Sequence, residues 1–169
     1  MTAVMTAPAT ERVLDFEALY RAARDDVFAY VATLLRDRGA AEDVTALAFE
    51  RAFRRQRSFD ARRGSERSWL FGIARNAALD ELRRRKRSAA LAFEPPAQED
   101  DIDRALSRAA VREALAGLPA RDRELIALKF HAGLDNAELA SVLGVSVSNA
   151  GTRLHRALTK LREILDDRS

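Results

Sequence analysis

The sequence predicts an all-α chain of two small helical domains joined by a linker, the second ending in a helix-turn-helix. Three observations lead there. Ala, Leu, Arg and Glu dominate, and only 7 Gly and 4 Pro occur in 169 residues, too little punctuation for a β-rich fold. Apolar residues recur at helical spacing in every patterned stretch. That spacing breaks at SAALAFEPPAQEDDIDR, where Pro95 and Pro96 stand beside a cluster of acidic residues, the mark of a linker. Residues 1–13 then form a disordered tail, 14–88 a first domain, 89–104 the acidic linker and 105–169 a second domain.

In the first domain, Phe16, Leu19, Tyr20, Ala23, Val27, Tyr30, Val31, Leu34 and Leu35 share one face of a long helix from Asp15, with Asp37, Arg38 and Gly39 expected to end it. AAEDVTALAFERAFRR is a second helix. Val44, Leu47, Ala48 and Ala52 are expected inward, with Phe49 and Phe53 extending the apolar surface. RQRSFDARRGSER is a polar loop. Ser68 is expected to cap a third helix, whose apolar side is Trp69, Leu70, Ile73, Ala74, Ala77 and Leu82.

The third helix ends in an unbroken run, Arg83, Arg84, Arg85, Lys86, Arg87. Such a run is either a solvated helix end that complements the C-terminal dipole or a contact for a phosphate backbone. Trp69 is either core or a platform for stacking a base.

In the second domain, LSRAAVREALAGL and ARDRELIALKFHAG read as helices, with His131 placed at a helix C-terminus where positive charge is favoured. Then comes the hairpin. Leu134 and Leu139 form a hydrophobic staple around Asp135, the N-cap, and Glu138 completes a capping box. Gly144 makes the left-handed turn and Ser146 caps the last helix. Ala150, Leu154, Leu158, Leu161 and Leu165 form its buried stripe, leaving Asn149, Thr152, Arg153 and Arg156 outward. Arg forks onto guanine, Asn onto adenine, and a Thr methyl meets thymine. The stretch therefore suits a major-groove reader, against the plainer reading of an amphipathic hairpin with a solvated face.

Composition removes several classes of function. With 0 Cys and two well-separated histidines, the chain offers no disulfide framework and no metal cluster, and no cofactor is expected. No phosphate loop or nucleophile–base pair is visible, so neither an enzyme nor a small-molecule substrate is expected. No apolar run suffices to cross a bilayer, and MTAVMTAPAT lacks the features of a signal peptide. A cytoplasmic protein without membrane insertion is expected. Residues 1–90 carry 18 Lys/Arg and 13 Asp/Glu, net +5, whereas residues 91–169 carry 11 and 13, net −2. A polyanion would thus meet its stronger footprint in the first half.

Two linked signatures resemble the extracytoplasmic-function (ECF) group of sigma factors in the bacterial sigma-70 family. AEDVTALAFERAFR and SWLFGIARNAALDELRRR are similar to that family's region 2. ALAGLPARDRELIALKF, the helix-turn-helix and TRLHRAL are similar to its region 4. The resemblance spans about Phe16 to Leu165 and implies a subunit that binds core RNA polymerase and promoter DNA. It places core-polymerase contacts at Asp43, Phe49 and Phe53. It places contacts to the −10 element at Arg75, Asn76, Asp80, Arg83 and Arg84, to which the stacking reading of Trp69 and the basic run ending at Arg87 add those two residues, with the loop Phe59 to Arg67 holding a flipped base. The −35 contacts would be Ser146, Ser148, Asn149, Thr152, Arg153 and Arg156. An anti-sigma factor is implied as the controlling partner, because the chain carries no C-terminal regulatory extension of the kind some relatives have.

Three positions depart from the family pattern: Ala46 and Leu47 replace a Gln–Glu pair, Phe53 replaces Trp, and Asn149, Ala150, Gly151 replace Thr-Val-Lys. Gly151 weakens the helix by about 1 kcal/mol relative to Ala and removes a basic contact, pointing to an atypical −35 element. Two rivals remain on sequence alone: a helix-turn-helix regulator acting on duplex DNA without core polymerase, and a sigma-like adaptor that binds polymerase without reading promoters.

Overall fold

Seven α-helices make up most of the computed structural model, which describes residues 13–89 and 106–168. The expected tail falls almost wholly outside those residues, as does the expected linker apart from Ala89, which ends a helix. The helices are α1 (Phe16–Leu35), α2 (Arg38–Arg55), α3 (Glu66–Ala89), α4 (Leu106–Ala116), α5 (Ala120–Phe130), α6 (Asn136–Leu143) and α7 (Val147–Asp166). A 3-10 turn, Gln56–Ser58, follows α2.

α1, α2 and α3 form a three-helix unit. Its crossings are lined by small side chains, since Ala23, Ala41, Ala48, Ala52, Ala74, Ala77 and Ala78 are all buried. Small residues at a crossing let helix axes approach closely, and Val27, Tyr30, Val31, Leu70 and Phe71 fill the space between. Phe71 is fully buried and adds to the apolar side of α3 beyond the residues expected there. Leu47 corrects the reading of α2: it is exposed, because α2 turns Val44, Ala48 and Ala52 inward instead.

Helix boundaries differ from expectation in two places. α1 stops at Leu35, with Arg36 in the left-handed conformation (φ 54°) donating its N–H to the Ala32 carbonyl. Asp37 does not end α1. Its side chain caps α2 by accepting from the Ala40 N–H, so Arg38 and Gly39 belong to the second helix. α3 begins before Ser68, which is buried inside it. Ser65 serves as the cap, its hydroxyl accepting from the Ser68 N–H at 3.1 Å. Gly64 sits just before this cap, where a Cβ would come within 2.9 Å of Ser68 Oγ.

The second unit, α4 to α7, has its own small cluster around Leu118, Ile126 and Ala157. Its larger core is continuous with that of the first unit. Leu125, Leu128, Ala132, Leu134, Leu139, Ala150 and Leu154 share one buried cluster with α1 to α3. The two units therefore pack against each other, through α1 against α5 and α3 against α6.

The helix-turn-helix follows its expected construction. Asp135 accepts from the Glu138 N–H at 2.8 Å, and Glu138 accepts from the Asp135 N–H at 2.9 Å. Gly144 adopts φ 68°, and Ser146 accepts from the Asn149 N–H. Ala150 and Leu154 are buried while Leu158, Leu161 and Leu165 are half-buried. Ala157 joins the stripe, fully buried.

Candidate nucleic-acid interface

The outer face of α7 is bare. Ser146, Ser148, Asn149, Thr152, Arg153 and Arg156 are all exposed, and the hydrogen bonds and ion pairs of the described residues leave both arginine heads unpaired. Capping fixes the start of the helix, and the Ala150–Leu154–Ala157 stripe fixes its rotation. Donors and acceptors thus project together into solvent from one rigid cylinder, the arrangement that major-groove reading requires. Gly151 lies at the crossing with α6, where a Cβ would stand 3.4 Å from Asn136 Nδ2.

The face of α3 is different. Asn76, Asp80, Arg83, Arg84 and Arg87 are exposed along one side of the helix. Asp80 accepts from Arg51 at 3.3 Å and from Arg83 at 3.2 Å. Arg84 forks onto Glu81 (2.7 and 2.9 Å). That fork holds the Glu81 carboxyl below its ordinary range and raises the Arg84 guanidinium. The basic run is therefore not a uniform patch. Arg85 turns back into the fold, donating to the Leu35 carbonyl at 2.9 Å and to Asp37 at 3.1 Å. It braces the α1–α2 turn, and Lys86 and Arg87 are the cations at the helix end that have no partner among the described residues.

Arg75 is not free either. Its Nε donates to Glu124 of α5, and the same Glu124 oxygen accepts the Tyr30 hydroxyl at 3.1 Å. Glu124 is 7% exposed and Tyr30 fully buried. Burial, then the Glu124 charge and hydrogen bond, push the Tyr30 phenol well above its ordinary range. The sequence marked Arg75 but neither partner. The one available signal is an acid, Glu124, directly ahead of the apolar stretch LIAL.

Between α2 and α3, Phe59, Ala61, Gly64, Ser65, Glu66 and Arg67 line an open cleft. Trp69 is half-buried and stands edge-on to Phe59, centroids 5.5 Å apart, at the side of that cleft. Arg62 binds Asp60 through both its backbone N–H and its guanidinium, lowering the Asp60 carboxyl and shaping the loop. Ser65 of the loop and Arg67 in the first turn of α3 also reach the second unit. Ser65 donates to Glu138 at 2.6 Å, and Arg67 donates to the Ala132 backbone carbonyl and to Asp26, both at 2.9 Å. His131 lies half-buried beside this contact. Burial pulls its imidazole below the ordinary value, against the opposing pull of Asp26. The expected gain from positive charge at the helix C-terminus is therefore outweighed by desolvation.

A third surface lies on α2. Phe16, Tyr20, Phe49 and Phe53 form an aromatic cluster, with the Tyr20–Phe49 centroids at 4.8 Å and Phe16–Phe53 at 5.2 Å. Phe49 is buried at its centre, correcting its reading as an outward contact: it seats the other rings. Phe53 (56% exposed), Leu47 and Tyr20 present the apolar surface, with Asp43 exposed on the same helix.

No helix among the described residues is long and apolar enough to cross a membrane. No group of three or more metal-ligating side chains occurs among them.

Comparison with known proteins agrees with this geometry. The family model for Sigma-70 region 2 matches residues 19–88, and that for Sigma-70 region 4 matches residues 108–161. The ECF RNA polymerase sigma factor SigL of Mycobacterium tuberculosis is 32% identical over 173 residues, covering 99% of this chain and 97% of SigL. SigK of Mycolicibacterium vanbaalenii is 29% identical, covering 89% and 81%. Among solved structures, the sigma factor RpoE of Bartonella quintana, in complex with the anti-sigma factor NepR, superposes with a TM-score of 0.77 at 26% identity, covering 90% of this chain and 97% of RpoE. CnrH, in complex with the cytosolic domain of CnrY, gives 0.69 at 28% identity, covering 91% and 89%. Region 2 carries the α3 face and region 4 the bare face of α7, and with both matched on one chain it belongs to the ECF group of the sigma-70 family, a sigma factor that directs RNA polymerase to promoters.

Proposed function

We propose that this sigma factor divides promoter reading between its two outward helices. Ser146, Ser148, Asn149, Thr152, Arg153 and Arg156 of α7 read the −35 element in duplex DNA. Arg75, Asn76, Asp80, Arg83, Arg84 and Arg87 of α3 engage the −10 element. The cleft between Phe59 and Arg67, with Trp69 at its side, receives an unstacked base. Capturing that base offsets the few kcal/mol that extruding it costs. Core polymerase docks on α2 through Asp43, Leu47 and Phe53, with Tyr20 of α1 beside them and Phe49 beneath. Residues 14–88 and 105–169 act as the two working domains on the acidic linker, and joining two modest binding modules raises their combined affinity.

The protein works in the cytoplasm, where core polymerase is, and it has no catalytic chemistry of its own. An anti-sigma factor restrains it, a reading supported by similar sigma factors having been solved in complex with such partners. The observation that carries the reading is the α7 face, base-competent and bare over two helical turns on a chain that also matches region 2.

Run-off transcription with sigma-free core polymerase on genomic fragments tests it. Discrete transcripts are expected only when the protein is added, and their start sites give both promoter elements. Absence of transcripts, with clean binding to duplex DNA by the protein alone, would overturn it in favour of a regulator independent of polymerase.

A further inference from the structure

One line along α7 differs from the rest of its outer face. Val147, Gly151 and His155 follow at i, i+4 spacing, so they succeed one another on the helix surface. Val147 is apolar and 53% exposed, at the first position of the helix between exposed Ser146 and Ser148. One turn on, Gly151 has no side chain and leaves a notch. Asn136, the first residue of α6, borders it: the amide nitrogen stands 3.4 Å from where a Gly151 Cβ would be. Asn136 is exposed, and its amide has no partner among the described residues. A lone exposed valine is ordinary on a protein surface. This one begins the helix proposed to enter the major groove, whose N-terminal residues meet base edges, and helical side chains lean toward the N-terminus. Neither the Ser146 cap nor the buried stripe of α7 uses it.

An apolar group and an amide donor across a small gap match one base. Thymine alone presents a methyl group beside an acceptor, O4, in the major groove. Cytosine would set its amino donor against the amide nitrogen, and adenine and guanine carry no methyl group. We infer that Val147, Gly151 and Asn136 form a thymine-reading notch for the −35 element: the C5-methyl group packs against Val147, the Asn136 amide donates to O4, and Gly151 keeps the space between them open. This rests on the assignment of α7 to the −35 element. It brings α6 into base recognition and leaves the other base pairs to Asn149, Thr152, Arg153 and Arg156.

The test uses holoenzyme assembled from sigma-free core polymerase and the full chain, and competition between fragments of a promoter mapped by run-off transcription. Each thymine of the −35 element is replaced in turn by deoxyuridine, which removes the methyl group and keeps O4 and the pairing. At one position the wild type is expected to bind about fourfold more weakly, the worth of one buried methyl group. V147A should lose that difference, and V147I, which keeps the apolar contact, should retain it. T152S, which removes the other methyl group of this face, should retain it too. At the same position 5-methylcytosine keeps the methyl group and exchanges O4 for an amino group. The wild type should reject it, and N136A should reject it about fivefold less, the worth of one hydrogen bond. G151V, whose side chain fills the notch, should lose both preferences.

An equal uracil penalty in V147A and the wild type, or no penalty at any thymine, would overturn the notch. A −35 element without an A·T pair would do the same. An unchanged rejection of 5-methylcytosine in N136A would remove Asn136 from the site, and both preferences surviving in G151V would remove the notch itself. Each ratio is taken within one holoenzyme, so a variant that assembles poorly still reports. Failure of the α7 assignment would appear separately, as an R153A/R156A holoenzyme that competes like the wild type on every fragment.

Discussion

The two proposed reading helices solve one problem in opposite ways. α7 buries Ala150, Leu154 and Ala157 and leaves the proposed base-reading side chains in water, where, among the described residues, Arg153 and Arg156 have no partner and Ser146 holds only the Asn149 N–H of its own cap. α3 buries Leu70, Phe71, Ile73, Ala74, Ala77 and Ala78, and its polar face is already engaged by Glu124, Glu81, Asp80 and Arg51. An exposed guanidinium contributes little to folding, so α7 can be rewritten at small cost to stability. Arg75 is part of the fold as well as part of the proposed site.

Replacing one residue from each helix should make that contrast measurable, with the largest effect on α3. R75A strands the Glu124 carboxylate, 7% exposed, with only the Tyr30 hydroxyl for company. Breaking a buried pair by removing one partner costs about 3–5 kcal/mol, and partial exposure of Arg75 (24%) places the expected loss at the lower end. R153A should change stability by less than about 0.5 kcal/mol. Denaturant melts of the two variants decide it. Equal melts would mean that the Arg75–Glu124 pair contributes nothing to the fold.

For DNA the ranking reverses. R153A/R156A is expected to leave the melt intact and weaken −35 duplex binding, with the salt slope of log K falling by about 2 if both arginines meet phosphates. A slope unchanged beside weakened binding would assign both to base edges. Unchanged binding would move the reading face elsewhere on region 4.

These contrasts also explain what the sequence disclosed. Capping boxes, glycine turns and apolar stripes are local, so the helix-turn-helix is legible from Leu134 to Leu165 almost residue by residue. Short-range competition for caps is harder to read: Asp37 looked like the end of α1 and is the beginning of α2, and Ser65 rather than Ser68 caps α3. Long-range pairing left almost no local trace. Arg75 and Glu124 are 49 residues apart, and nothing near either announces the other. Leu47 failed for a different reason: it is apolar but lies on the exposed face beside Phe53, so hydrophobicity signalled a surface there rather than core. Arg85 sits in a uniform run of cations, and only its reach to Leu35 and Asp37 separates it from its neighbours.

The boundary between the regions should also respond to pH. His131 is held neutral by burial and faces Asp26 from α1 and Arg67 from α3. Its folded value lies below its unfolded one, so it contributes stability that is complete above the unfolded value of about 6.5 and is lost as pH falls through the folded value. The melting temperature should therefore drop between pH 7.5 and pH 5.5, and H131Q should flatten that part of the profile. A profile unaltered by H131Q would assign the drop to the carboxylates.

The smallest effect should come from Gly151. Inside α7 glycine costs about 1 kcal/mol relative to alanine, through backbone entropy that no packing recovers. An added Cβ would meet only the amide end of Asn136 at 3.4 Å, an exposed side chain able to shift by a few tenths of an ångström. G151A is therefore expected to stabilise by somewhat under about 1 kcal/mol, raising the melting temperature by about 2–3 °C in a chain of this size. It should leave the salt dependence of −35 binding unchanged, because a methyl group adds no charge. G151K would restore a cation at that position and is expected to steepen the salt slope by about 1. A lower melting temperature in G151A would mean that α6 and α7 need the glycine to approach, making Gly151 a packing requirement. A higher one, with the steeper slope in G151K, would make it a position where region 4 gives up both helix stability and a backbone contact, leaving Asn149, Thr152, Arg153 and Arg156 to distinguish the −35 element.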